Sequence, residues 1–136
     1  MNPFSVEADV TGGPLAPARA RGLIRSELAG RVPRALLRDV VLLVTELVAN
    51  GVRHGGAGPG QALHLRLEGR PPRLWVEVVD PGVDGNGAVA PRRADYAGGG
   101  GLGLQIVDRV ASRWGVGNGP GTSVWFEVDV PPEEHL

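Results

Sequence analysis

Four short stretches of this chain carry residues that could do chemistry. Glu46, Asn50 and His54 are spaced four apart, with Arg53 beside them. At 3.6 residues per turn, that spacing lines them along one narrow polar flank of a helix. A carboxylate and a carboxamide one turn apart can hold a metal ion and a water between them. A solvated helix edge is the bland alternative, because surface polar pairs at this spacing are common. Asn is a poor helix former, which favours a role for Asn50. Asp80-Pro81-Gly82 places a carboxylate at a strand end. It could accept a hydrogen bond from a ligand amino group while Gly82 admits the ligand close to the backbone, or it could simply form a turn.

The run Gly98-Gly99-Gly100-Gly101-Leu102-Gly103 leads into a helical pattern. Glycines there expose backbone N–H groups where the helix dipole favours an anion, which suits phosphate; a low-complexity linker is the alternative. The run contains GxGxxG, but no apolar strand precedes it and Arg92 to Ala97 is polar, so the dinucleotide-fold context fails. Gly121-Thr122-Ser123 opens a last strand and, taken alone, reads as an ordinary turn.

The elements that must position these residues follow from periodicity. Pro14 to Gly30 reads as a first helix, with Leu15, Ala18, Gly22 and Ile24 to Leu28 at loose helical spacing and Gly30 as its stop. Pro33 opens a second helix, where its missing N–H costs nothing. There Leu36, Leu37, Val40, Leu43, Val44, Leu47, Val48 and Gly51 form one buried stripe, ending near Arg53. Gln61 to Glu68 and Arg73 to Asp80 alternate as neighbouring antiparallel strands, joined through Gly69 to Pro72, with Leu63, Leu65, Leu67, Leu74, Val76 and Val78 inward. Residues 81–100 lack periodicity, and a loop of that length inside a domain is commonly a lid. Leu102 to Arg113 is helical, Trp114 to Val116 could begin a strand, and Thr122 to Val130 alternates again. Residues 1–13 are a tail or a short edge strand, 14–132 a single domain, and 133–136 a tail. Helices grouped with strands in this order predict an α+β two-layer sandwich, a mostly antiparallel sheet covered by helices on one face.

Composition narrows the function. The 136 residues fit one domain, and 42% of them are hydrophobic, enough for an aliphatic core. A formal charge of −1 gives no electrostatic footprint for nucleic acid or an anionic membrane. All 14 basic residues are Arg, so no GxxxxGK[ST] phosphate loop is present. The absence of Cys removes disulfides, thiol catalysis and thiolate metal sites. Neither a signal peptide nor a spanning segment is visible, so a cytoplasmic protein is expected.

The order of these motifs resembles the GHKL ATP-binding family, which includes gyrase and the histidine-kinase catalytic domain. Glu-Leu-Val-Ala-Asn-Gly-Val-Arg-His-Gly at 46–55 is similar to the compact branch of bacterial anti-sigma-factor serine/threonine kinases and their actinobacterial relatives. The resemblance covers roughly residues 15 to 130. It implies that Asn50 coordinates a Mg²⁺ bridging the ATP phosphates and that Glu46 is the general base. It implies that Asp80 reads the adenine amino group with Thr122 in support, and that Gly82 admits the purine. Gly100, Gly101, Leu102 and Gly103 would embrace the phosphates, with Arg53 and His54 near phosphate or partner. After Asp80-Pro81-Gly82 the family often has a second Gly, where this chain has Val83-Asp84. Phosphoryl transfer is helped by a cation near the γ-phosphate; the run 98–103 has none, and the nearest lid cations are Arg92 and Arg93.

The resemblance implies an anti-sigma-type regulator that binds Mg-ATP, phosphorylates a small antagonist protein and sequesters a sigma factor, with a homodimer as the family's habit. A histidine kinase would need a phosphoacceptor hairpin ahead of the domain, and the residues before Pro14 leave no room for one. A non-catalytic, ATP-gated binding module is the second expectation, and an interaction domain without nucleotide the third.

Overall fold

The computed structural model describes residues 1–54, 57–81, 104–117 and 122–132. Its elements run β1 (Phe4–Thr11), α1 (Ala16–Leu28), α2 (Arg34–His54), β2 (Ala62–Arg70), β3 (Arg73–Val79), α3 (Leu104–Val110), β4 (Arg113–Gly117) and β5 (Ser123–Asp129). The strands make one sheet in the order β1-β2-β3-β5-β4, and every neighbouring pair is antiparallel. This is the α+β two-layer sandwich that the alternation and the helical stripe predict.

Period-two alternation decides which sheet face is dry. Leu63, Leu65 and Leu67 of β2, Leu74 and Val76 of β3 and Phe126 of β5 are all fully buried. The register sets them side by side: Leu67 faces Val76, and Val76 faces Phe126. Each such side chain contributes about 1.5–3 kcal/mol by leaving water. The opposite face carries charged residues joined in ion pairs, among them Arg66 with Glu7, Glu68 and Glu77, and Arg113 with Glu127 and Asp129, and Arg66 and Arg70 lie over the Trp75 ring.

Helix α2 lays Val40, Leu43, Val44, Leu47 and Val48 on the core, as its spacing predicts. Helix α1 is turned differently from its prediction. It buries Ala16, Ala20, Ile24 and Leu28, a strict four-residue row, whereas Ala18 and Gly22 face outward. Leu15 is 60% exposed because it caps the helix instead of joining it. The small Ala16 and Ala20 let α1 sit close to its neighbours.

One open alternative closes, and two boundaries differ from expectation. Residues 4–11, which read as tail or edge strand, form the edge strand β1. Strand β2 runs on through Gly69 and Arg70, where a connection was expected, because Gly69 pairs with Phe4 and its lack of a side chain leaves room for that ring. The last described helix ends at Val110, short of Arg113. Ser112 donates its backbone N–H to the Glu127 carbonyl at 2.8 Å, and the chain has already joined the sheet.

Candidate functional site

The end of α2, the end of β3 and the start of β5 meet at one end of the sandwich. Among the described residues, the buried polar or charged side chains are Asn50, Asp80 and Thr122, at 1%, 4% and 6% exposure. One comes from each of these three elements. Burying polar groups is costly unless they are partnered, and the backbone here is arranged to partner them. Asp80 donates its N–H to the Thr122 carbonyl at 2.9 Å, and Thr122 returns its N–H to Asp80 Oδ1 at 3.3 Å. The pair continues the β3–β5 ladder one step past Val79 and Ser123 and aims the carboxylate along the strand end.

Gly51 brings the helix to that strand end. A Cβ at this position would lie 3.6 Å from Asp80 Cβ and only 2.5 Å from Leu63 Cδ2. A larger residue would push α2 away from Asp80. In the sequence, Gly51 stands only as a member of the apolar stripe. Its signal was available, since a mid-helix Gly costs about 0.5–1 kcal/mol relative to Ala and calls for a reason. Ala57 is tied to the end of α2 as well: its N–H donates to the Gly51 carbonyl at 3.3 Å, and the Gly13 N–H donates to its carbonyl at 2.9 Å.

Asn50 lies one turn after Glu46 on α2. Its Oδ1 accepts a hydrogen bond from Arg53 Nη2 at 2.9 Å. A carboxamide oxygen has two lone pairs and is a hard ligand suited to Mg²⁺. Glu46 is half-buried and Arg53 exposed. His54 ends α2, and its side chain lies outside the described residues, as do Gly82, Gly100, Gly101, Leu102 and Gly103 and most of the expected lid. Helix α3 starts directly after the glycine run, at Leu104, and buries Leu104 and Val107 while packing against α2.

The structure thus brings together Asn50, Asp80 and Thr122, with Glu46 and Arg53 on the adjoining flank of α2. The combination offers a buried carboxylate for a hydrogen-bond donor and a carboxamide oxygen for a hard cation. Among the described residues no helix is long and apolar enough to cross a membrane. No curated protein matches the chain. Residues 15–128 match the family model of the histidine kinase-like ATPase domain. That match spans most of the chain and all three elements of the site, and the chain belongs to this family of ATP-binding domains.

Proposed function

We propose that this domain binds Mg-ATP between α2, the end of β3 and the start of β5, and acts as a regulator of anti-sigma-factor type. In this reading it transfers the γ-phosphate to a Ser or Thr of a small antagonist protein and regulates transcription by sequestering a sigma factor. The observation that carries it is the convergence of Asn50, Asp80 and Thr122, the buried polar side chains of the described residues, at one end of the sandwich.

The donor set fits the nucleotide and its metal. Asp80 would accept from the adenine amino group, with Thr122 holding the carboxylate through its backbone N–H. Asn50 Oδ1 would hold Mg²⁺. Among the described residues no group of three or more His, Asp and Glu side chains could hold an ion, so phosphate oxygens and waters would complete its shell. When bound, Mg²⁺ neutralises charge on the phosphates. The acceptor hydroxyl oxygen attacks the γ-phosphorus, the bond to the bridging β-phosphate oxygen breaks, and ADP leaves. The hydroxyl proton passes to the Glu46 carboxylate, one turn from Asn50.

The test is transfer of labelled γ-phosphate to a candidate antagonist protein, with Glu46→Gln as control. Label transfer by the wild type and its loss in the variant support the kinase. Equal behaviour of the two removes it. The run 98–103 contains no Arg or Lys, and this favours a second reading: a non-catalytic module in which ATP gates partner binding. That reading predicts a raised melting temperature with Mg-ATP and no label transfer.

A further inference from the structure

The outer surface of the α1–α2 hairpin carries a groove of about 420 Å³ lined by Arg25 and Ala29 of α1 and its following turn and by Arg34, Leu37, Arg38 and Val41 of α2. We propose that this groove docks an acidic amphipathic helix of a partner protein, its apolar side chains over Leu37 and Val41 and its carboxylates on Arg25, Arg34 and Arg38. The surface lies at the opposite end of α2 from the nucleotide site, about 18 Å along the axis from Arg38 to Asn50 at 1.5 Å per residue. It stands whether or not the nucleotide reading does.

The residues Arg25, Arg34 and Arg38 are exposed, and their side chains make neither an ion pair nor a hydrogen bond with the described residues. Most arginines of the outer sheet face behave differently: Arg66, Arg70 and Arg113 pair with carboxylates, and Arg73 is the exception. The acids nearest in sequence to the groove do not neutralise it. At 100° per residue, Glu27 projects from α1 some 200° away from Arg25, and Asp39 projects well to one side of the Arg34–Arg38 row. The first turn of α2 also holds no acidic residue, so its positive dipole end adds to the potential over Arg34. The chain has a net charge of only −1, and this basic surface is local.

Arg34 and Arg38 stand one helical turn apart, which matches two carboxylates one turn apart on a partner helix. Arginine favours carboxylates because its planar guanidinium can donate two parallel hydrogen bonds. Between the arginines the floor is apolar, formed by Ala29, Leu37 and Val41. One turn before Arg25, Gly22 has open space where a side chain would stand, so the groove is not closed at that end. Leu42, 42% exposed, follows Arg38 by one turn. An apolar floor with a basic rim fits a helix presenting Leu between Glu residues. A nucleic acid would instead need a longer track of cations and no apolar floor.

The test uses the full chain without nucleotide and a fluorescent helical peptide with two Leu one turn apart, flanked by Glu. Controls are the same peptide with Lys for Glu, the same peptide with Ser for Leu, and a short DNA duplex. The Glu–Leu peptide is expected to bind, to weaken as salt is raised, and to lose about tenfold in affinity in the Arg34→Glu/Arg38→Glu variant, as expected when exposed pairs worth up to about 1 kcal/mol each are reversed. An Arg34→Gln/Arg38→Gln variant, which adds no new charge, should lose less. Both variants alter exposed residues, and their melting curves check the fold. Four outcomes would each overturn the proposal: no binding of the Glu–Leu peptide, equal binding of the Lys or Ser peptide, tighter binding of the duplex, or unchanged affinity in the variants.

Discussion

Asp80 and Thr122 exchange two hydrogen bonds, one between backbones at 2.9 Å and one from the Thr122 N–H to the Asp80 carboxylate at 3.3 Å. The second bond holds a buried carboxylate at the end of a strand. Asp80→Asn keeps the shape and removes the charge. Because an Asn can still accept from Thr122, the fold should survive. A ligand amino group would then meet a weaker acceptor. A hydrogen bond to a charged group contributes about 1.5–3 kcal/mol, so ATP affinity should fall about ten- to a hundredfold. Calorimetric titration of wild type and variant decides it, and equal affinities would remove Asp80 from the adenine pocket.

Arg53 donates to Asn50 Oδ1 at 2.9 Å, so a cation already sits on the oxygen expected to face the metal. Removing Mg²⁺ with a chelator should weaken ATP binding by the wild type. Asn50→Ala should bind ATP equally well with and without the metal. Arg53→Gln removes a like charge worth about 1 kcal/mol at close range. It should therefore reduce the Mg²⁺ concentration needed for half-maximal ATP binding by about fivefold. A rise in that concentration would instead assign Arg53 to the phosphates.

Two glycines position the site with unequal tolerance. A Cβ on Gly12 would run into the backbone carbonyl oxygens of Ala57 and Gly58, which cannot rotate away. A Cβ on Gly51 meets chiefly the Leu63 side-chain tip, and Ala gains about 1 kcal/mol of helix propensity there. Gly12→Ala should therefore destabilise by about 2–3 kcal/mol, the upper range for overpacking. Gly51→Ala should change stability by about 1 kcal/mol or less while weakening ATP binding through Asp80. Denaturant midpoints and ATP titrations separate the two effects. Equal destabilisation by both would show that the Ala57 carbonyl does not fix the loop.

The strands and the second helix were legible because their burial follows a clean period: Leu63, Leu65 and Leu67 alternate, and Val40 to Val48 keep one stripe. The first helix misled because its buried row is half alanine. Ala16 and Ala20 carry little hydrophobic signal, whereas Leu15, the stronger hydrophobe, stands in water. Asn50, Asp80 and Thr122 were each ambiguous alone, and only their order along the chain marked them. That order could not show Gly51 against Asp80, a contact made by residues 29 positions apart. Nor could it show the bare arginines of α1 and α2, since lack of a partner is a property of the folded surface.

His64 ties the edge strand β1 to the sheet. Its Nδ1 lies 2.7 Å from Asp9 Oδ1 and its Nε2 lies 3.3 Å from Glu7 Oε1. The Asp9 hydrogen bond, aided by Glu7 and opposed by partial burial, raises the ring above its ordinary value of 6.5. Arg66 also faces Glu7, at 3.1 Å. A raised folded-state pKa means that the folded protein binds the proton more tightly than the unfolded chain. The stabilisation is therefore fully present below 6.5 and is lost as pH rises through the folded value. The ring is more than a third exposed, so solvent screening limits the effect to about 0.5 kcal/mol, or about 2 °C in melting temperature. The wild type should melt above His64→Gln at mildly acidic pH, with the gap closing as pH rises through the folded-state value. Added salt should narrow the acidic gap. A gap that stayed constant with pH would mean that His64 supports β1 through packing and not through its charge.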